Sequence, residues 1–156
     1  VEQSSADGDD EEHKKHETGM NAGHSLCGTK RVMIWHDLRL IPEFAGCASK
    51  LLQQLESHMH LRLYLPGQIV LRHGEDMGDL YILQRGTCKM EVFSTEMEPV
   101  ESPCIIGGMM SLLTPKVVTT VVAQVTSFVA TISKHHVAIM LDGHPEERKA
   151  LFSKAN

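Results

Sequence analysis

The side chains able to do chemistry are few and poorly grouped. His135-His136 are adjacent, a spacing that sends two imidazoles to different directions on a helix, so a solvated helix face suits them better than a metal pair. His58 and His60 near Cys47 make a weaker metal set still, and no metal is expected. His73-Gly74-Glu75-Asp76 has the composition of an acid/base cluster, but two polar residues beside a glycine read as a tight turn. Cys27, Cys47, Cys88 and Cys104 are widely spaced and form no CxxC pair, which favours reduced thiols over a disulfide or a zinc site. There is no Walker loop, no HExxH and no nucleophile elbow, so no enzymatic function is expected. The remaining unusual segment is 105–113, apolar and opened by Gly107-Gly108 ahead of Met109 and Met110, where a short helix fits.

The chain that must position these residues has 156 residues, room for one domain with its own core. Its formal charge of −5 resides in residues 1–17, where seven acids face two bases. The remaining 13 acidic and 13 basic residues balance, so the body exerts no general pull on nucleic acid or anionic lipid. Residues 1–28 are polar and acidic and are expected to be a disordered tail or linker, with the domain occupying 29–156. The chain starts at Val1, not Met, and reads as a piece of a larger protein. No apolar run approaches the roughly 20 residues of a membrane-spanning helix, and no signal-peptide pattern is present.

From Lys30 the periodicity becomes helical. Val32, Met33, Ile34, Leu38 and Ile41 recur at roughly helical spacing until Pro42. A second helix is predicted over 48–58, with Leu51, Leu52 and Leu55 on its apolar face. The period then drops to two: Leu61, Leu63 and Leu65 alternate with Arg62 and Tyr64, Pro66-Gly67 turns the chain, and strands follow over 68–72, 80–84 and 88–93. After 105–113, residues 117–125 and 128–132 read as β-branched strands. Ser133 reads as an N-cap for a helix ended by Gly143, and Pro145-Glu146-Glu147 opens a last one. The predicted fold class is α+β: an antiparallel, jelly-roll-like β-roll of about eight strands between N- and C-terminal helices, with a short helix at 105–113.

The stretch 61–86, LRLYLPGQIVLRHGEDMGDLYILQRG, resembles the opening of a cyclic-nucleotide-binding domain. The likeness rests on Pro66-Gly67, on Gly74-Glu75, and on Leu80-Tyr81-Ile82 running to Gly86. Ile41-Pro42-Glu43-Phe44 is similar to the helical lead-in, and 133–145 to the helix that follows the roll, so the resemblance covers about 36–152. The wording LYLPG and the lead-in are most like the cytoplasmic domains of cyclic-nucleotide-gated, hyperpolarisation-activated and ether-à-go-go-type channels. Kinase regulatory subunits and some sperm sodium/proton exchangers share the module.

The resemblance implies a ligand, cAMP or cGMP, held by its phosphate at a short helix inside the roll. The family's motif there is Phe-Gly-Glu followed by an Arg-Thr-Ala type strand; the Glu receives the ribose hydroxyl and the Arg forks onto the phosphate. Aligned without gaps, Ile106 stands for the Phe, Gly107 for the Gly, Gly108 for the Glu, and Val117, Val118 and Thr119 for the Arg and its followers. Lys116 is one position early and supplies a point charge, not a fork. The candidate ligand residues are therefore Gly107, Gly108, Met109, Met110, Lys116, Val117, Val118 and Thr119, with the backbone amides of Gly108, Met109 and Met110 as remaining anion donors. Each charge-assisted hydrogen bond contributes roughly 1.5–3 kcal/mol. Two lost ones cost about 3–6 kcal/mol, roughly two to four decades in dissociation constant. The family's lid helix is also shortened here, since 145–152 gives only about two turns.

The functional expectation is a regulatory module of a larger protein, a membrane channel or transporter, lying on its cytoplasmic side. The module couples ligand binding or domain contacts to gating, and its partners are the parent, a cyclic nucleotide and further copies assembled through the parent. The alternatives are a degenerate, ligand-independent interaction or assembly domain and a regulatory-subunit-like domain of a kinase.

Overall fold

The computed structural model describes residues 37–93 and 95–154. The predicted tail at 1–28 and the helical pattern of Val32, Met33 and Ile34 lie outside the described residues. Two one-turn 3₁₀ segments, Leu38–Leu40 and Pro42–Phe44, lead into helix α1 (Ser49–Ser57). Nine short strands follow among the described residues: β1 (His60–Tyr64), β2 (Ile69–Leu71), β3 (Asp79–Arg85), β4 (Thr87–Val92), β5 (Thr95–Glu96), β6 (Val100–Glu101), β7 (Cys104–Ile105), β8 (Thr120–Ala123) and β9 (Ser127–Ser133). A 3₁₀ turn at Met109–Leu112 interrupts them, and α2 (Lys134–Asp142) and α3 (Pro145–Ser153) close the chain.

Every strand pairing is antiparallel. One sheet runs β1-β9-β3-β7; the other runs β2-β8-β4-β5, with β6 also on β4. Strands β3 and β9 show why the first sheet is central. Leu80 and Ile82 of β3, with Ala130 and Ile132 of β9, enter one apolar cluster with Phe44, Leu55, Leu141 and Leu151 of the helical layer. Leu83 and Val129, which face the other way, join Val70, Val121 and Cys88 of the second sheet. Both faces of β3 and β9 are covered, which is why these strands read as nearly continuous apolar runs. The result is a helical layer, a central sheet and an outer sheet.

Strand β1 departs from the alternation drawn from its leucines. It is an edge strand, and Leu61 packs on the helical cluster. Leu63, two residues along the strand, and Leu65, just beyond its end, are 53% and 52% exposed. Ser133 sits at the N-cap of α2, although its side chain makes no capping bond. Pro145 occupies the first turn of α3 with Glu146 and Glu147, as the sequence predicts.

Two expectations at the site segment are corrected. Residues 105–113 are not one short helix: Cys104–Ile105 pairs with β3, and only Met109–Leu112 is helical, as 3₁₀. Gly107 and Gly108 have φ of 78° and 62°, so the chain is left-handed at both positions and the helix starts late. The strand expected over 117–125 is confined to Thr120–Ala123. Val117 instead pairs with the connection before β3. Its N–H donates to the Glu75 carbonyl at 2.8 Å, and its carbonyl accepts from the Gly74 N–H at 2.8 Å. The 73–76 cluster is therefore a structural turn zipped to 115–117.

Candidate functional site

Between the 3₁₀ turn and the second sheet lies a cavity of about 130 Å³. It gathers most of the expected ligand residues: Gly107, Met110, Lys116, Val117, Val118 and Thr119 line it. Gly108 and Met109 do not. Met109 is buried in the helical cluster, on the opposite side of its own turn, because successive residues of a 3₁₀ turn point about a third of a revolution apart. Val117 is buried at 3% exposure, whereas Val118, expected in the same strand, is 61% exposed.

The chemistry of the lining is apolar. Ile106, aligned with the family's Phe, also lines the cavity, and Leu71, Met77, Met90 and Val121 complete the wall; these last four are residues that the sequence did not single out. They come from four other segments of the chain, so only a signal of long-range pairing would have shown them together. Ser111 and Thr114 also reach the cavity, but their hydroxyls donate within the turn, to the Gly108 carbonyl at 2.7 Å and the Ser111 carbonyl at 3.1 Å.

Among the described residues, Lys116 is the one ionisable side chain in the lining. Its Nζ lies 2.5 Å from an Asp76 carboxylate oxygen, in an exposed pair at the bridge between the two segments. The Lys116 ammonium, as hydrogen-bond donor and then as nearby charge, holds the Asp76 carboxyl below its ordinary value. A lowered folded-state value means that the pair stabilises above the unfolded carboxyl range, near 4, and that this contribution disappears as pH falls through the folded value. Asp76→Asn is accordingly expected to narrow its stability difference from the parent chain as urea midpoints are followed from pH 7 to pH 2. A gap that stays constant over that range would refute the pairing.

The Gly108 N–H, one of three expected donors, already donates to the Ile105 carbonyl at 3.0 Å. The side-chain partners that the resemblance implies for a cyclic nucleotide are therefore missing from their expected positions. Gly108 brings no carboxylate to a ribose, Val117 brings no guanidinium to a phosphate, and Lys116 is held by Asp76. The cavity itself is also smaller than the roughly 300–1,000 Å³ of ordinary small-molecule sites.

Behind the site, Lys134 at the start of α2 donates from Nζ to the Thr114 carbonyl at 2.6 Å, tying the helix to the end of the 3₁₀ turn. Burial lowers the Lys134 pKa from the usual ammonium range. Cys47, Cys88 and Cys104 are free thiols, and burial raises Cys104 to about 11. Among the described residues no three His, Cys, Asp or Glu side chains form a group able to hold a metal, and no helix is long and apolar enough to cross a membrane.

No family model matches the sequence, and no curated relative does. Solved structures do match in three dimensions. The C-linker/CNBHD of zELK channels, crystallised in the presence of cAMP, superposes with a TM-score of 0.68 at 20% identity, over 83% of this chain and 67% of that one. The sensor domain of the transcriptional regulator DNR from Pseudomonas aeruginosa gives 0.69 at 22% identity, over 81% of this chain and 88% of that one. The catabolite activator protein of Thermus thermophilus gives 0.62 at 19% identity, over 73% of this chain and 56% of that one. With two antiparallel sheets, a glycine-opened turn between them and helices before and after, the chain has the fold of the cyclic-nucleotide-binding domains.

Proposed function

We propose that this chain is a non-enzymatic regulatory module of a larger protein, in which the turn at the cavity and the helical layer move as one element. One observation carries the reading. Met109 of the 3₁₀ turn and Leu151 of α3 are both buried in the same apolar cluster, and α3 packs directly on that turn. A close-packed cluster does not deform continuously, so a shift of the turn requires α3 to repack. The Lys134 tie to Thr114 adds α2 to the same unit. A two-state element of this kind transmits occupancy of the cavity to whatever follows the helices.

The parent is a membrane channel or transporter with this module on its cytoplasmic side, and copies of the module meet through the parent. Support comes from the LYLPG stretch, the helical lead-in, and the zELK channel structure that covers most of this chain. cAMP and cGMP, in this reading, are at most weak ligands.

Amide hydrogen exchange tests the coupling. Leu151→Ala removes buried methyls and costs about 2–5 kcal/mol. Exchange is expected to rise more at 106–113 than in β2, β4 and β8, whose side chains belong to the other cluster. A rise confined to α3, or one uniform over the chain, would sink the reading.

A second reading, a ligand-independent assembly domain, draws on the exposed Leu63 and Ile69, which line one surface recess, and on the exposed Leu65. Apolar side chains gathered on one exposed face suit contact with another protein. It predicts that Leu63→Lys disturbs assembly of the parent and leaves exchange at 106–113 unchanged.

A further inference from the structure

The cavity beside the 3₁₀ turn has the chemistry of a site for something other than an anion. Ile106, Val117 and Val121 give it an aliphatic wall, and Met77, Met90 and Met110 add three thioethers. Methionine is unbranched and polarizable, and it adapts to ring edges of different shape. The Ser111 and Thr114 hydroxyls are engaged within the turn, and the Lys116 ammonium is held at 2.5 Å by Asp76. Thr119 adds one hydroxyl to the lining. A charged guest would lose its hydration there and meet no free countercharge. A neutral apolar guest would instead gain from every part of its apolar surface removed from water.

Size narrows the class. The cavity is about 130 Å³. An engineered aliphatic cavity of about 150 Å³ in an unrelated protein stays dry and takes up benzene. Entry from solvent is open at the rim, where Met110 is 42% exposed and Val118 is 61% exposed.

Taking the regulatory reading above as its basis, we propose that this cavity binds small neutral apolar molecules of about one ring, bearing at most one hydrogen-bonding group, and that these replace the anion as the ligand class of the module.

The test uses the full 156-residue chain with ¹³C-methyl methionine. Benzene, phenol, inorganic phosphate and cAMP are titrated separately at neutral pH. The methyl signals of Met77, Met90 and Met110 are expected to move saturably with benzene and phenol and to stay in place with phosphate and cAMP; Met109, in the other cluster, serves as the internal control. Met110→Trp adds bulk at the exposed rim, and is expected to weaken benzene binding at least about tenfold, equivalent to about 1.4 kcal/mol. A thermal melt confirms that this variant is folded. Silence of the three methyls up to the solubility limit overturns the proposal. So does saturable movement with phosphate or cAMP matching that with the rings, or undiminished benzene binding in folded Met110→Trp. Should the methyls respond while the amides of α2 and α3 do not, the ligand class stands and the regulatory reading fails. Silent methyls alongside a Leu151→Ala effect at 106–113 give the converse.

Discussion

Alanine at position 86 is expected to lower the unfolding free energy by roughly 2–6 kcal/mol, the sum of a left-handed backbone cost and an overpacking cost of about 1–3 kcal/mol each. Gly86 has a φ of 115°, a conformation that a side chain rarely adopts. A Cβ there would lie 2.2 Å from Ser127 Oγ and 2.8 Å from Ser127 Cα. The hydroxyl can swing aside, but the Cα belongs to the first residue of β9, and Ser127 is fully buried with its Oγ donating to the Val125 carbonyl at 2.8 Å. The chain at Gly86 leaves β3 in one sheet for β4 in the other, and the β3–β9 register shifts between Leu83 and Arg85 just before it. Ser102 holds this corner from the far side: its Oγ accepts from the Gly86 N–H, and its own N–H donates to the Gly86 carbonyl, both at 3.1 Å. Relief of the clash would therefore have to move two sheets at once. Urea midpoints measure the effect, with Gly78→Ala as the control. No atom lies within 4 Å of a Cβ at Gly78 and its φ is not left-handed, so a change within about 0.5 kcal/mol is expected there. A Gly86→Ala change as small as that of the control would show that the corner is not constrained.

The same glycine shows what the sequence could and could not convey. Gly86 after LYILQR was visible as the end of a strand, but its partner Ser127 lies about forty residues on. The helices were legible because Leu51, Leu52 and Leu55, or Val137, Met140 and Leu141, repeat at a period that only a helix buries on one side. The central strands were legible because both faces of β3 and β9 are covered. Leu63 and Leu65 misled, since an alternating pattern reports a shared face without reporting how far the covering layer extends. Segment 115–117 was the hardest. Of Pro115, Lys116 and Val117 only the valine favours a strand, yet all three are drawn into a zipper with 74–77, and nothing local to Lys116 announces that its partner is Asp76. At Gly107-Gly108 the residue types were plain, yet their role was read from the acid they lack. In the structure both backbones are left-handed, so Gly108 is a conformational requirement of the turn as well as a missing carboxylate.

That distinction decides how a phosphate site can be rebuilt. Val117→Arg is expected to raise cAMP affinity by about two to four decades when both forks of the guanidinium engage, at roughly 1.5–3 kcal/mol for each charge-assisted bond. The Val117 backbone is fixed on both sides by Gly74 and Glu75, and its side chain already faces the cavity. An arginine there starts from a defined position, unlike Lys116, whose charge is drawn outward by Asp76. Without ligand, the same substitution leaves an unpaired charge at a buried position and costs about 3–5 kcal/mol of stability. The two effects are linked, because a ligand that binds only the folded state restores stability in proportion to its occupancy. Thermal melts of Val117→Arg should therefore begin low and climb with added cAMP or phosphate, while the parent chain hardly moves. Adding Gly108→Glu supplies the ribose acceptor but forces an L side chain onto a φ of 62°, a cost of about 1–3 kcal/mol that offsets much of the gain. The single variant is thus expected to outperform a simple sum of motif residues. If Val117→Arg folds and its melting temperature and cAMP affinity match those of the parent chain, the turn cannot present a phosphate to position 117, and the loss of nucleotide recognition lies in the backbone of Gly107 and Gly108 more than in the missing arginine.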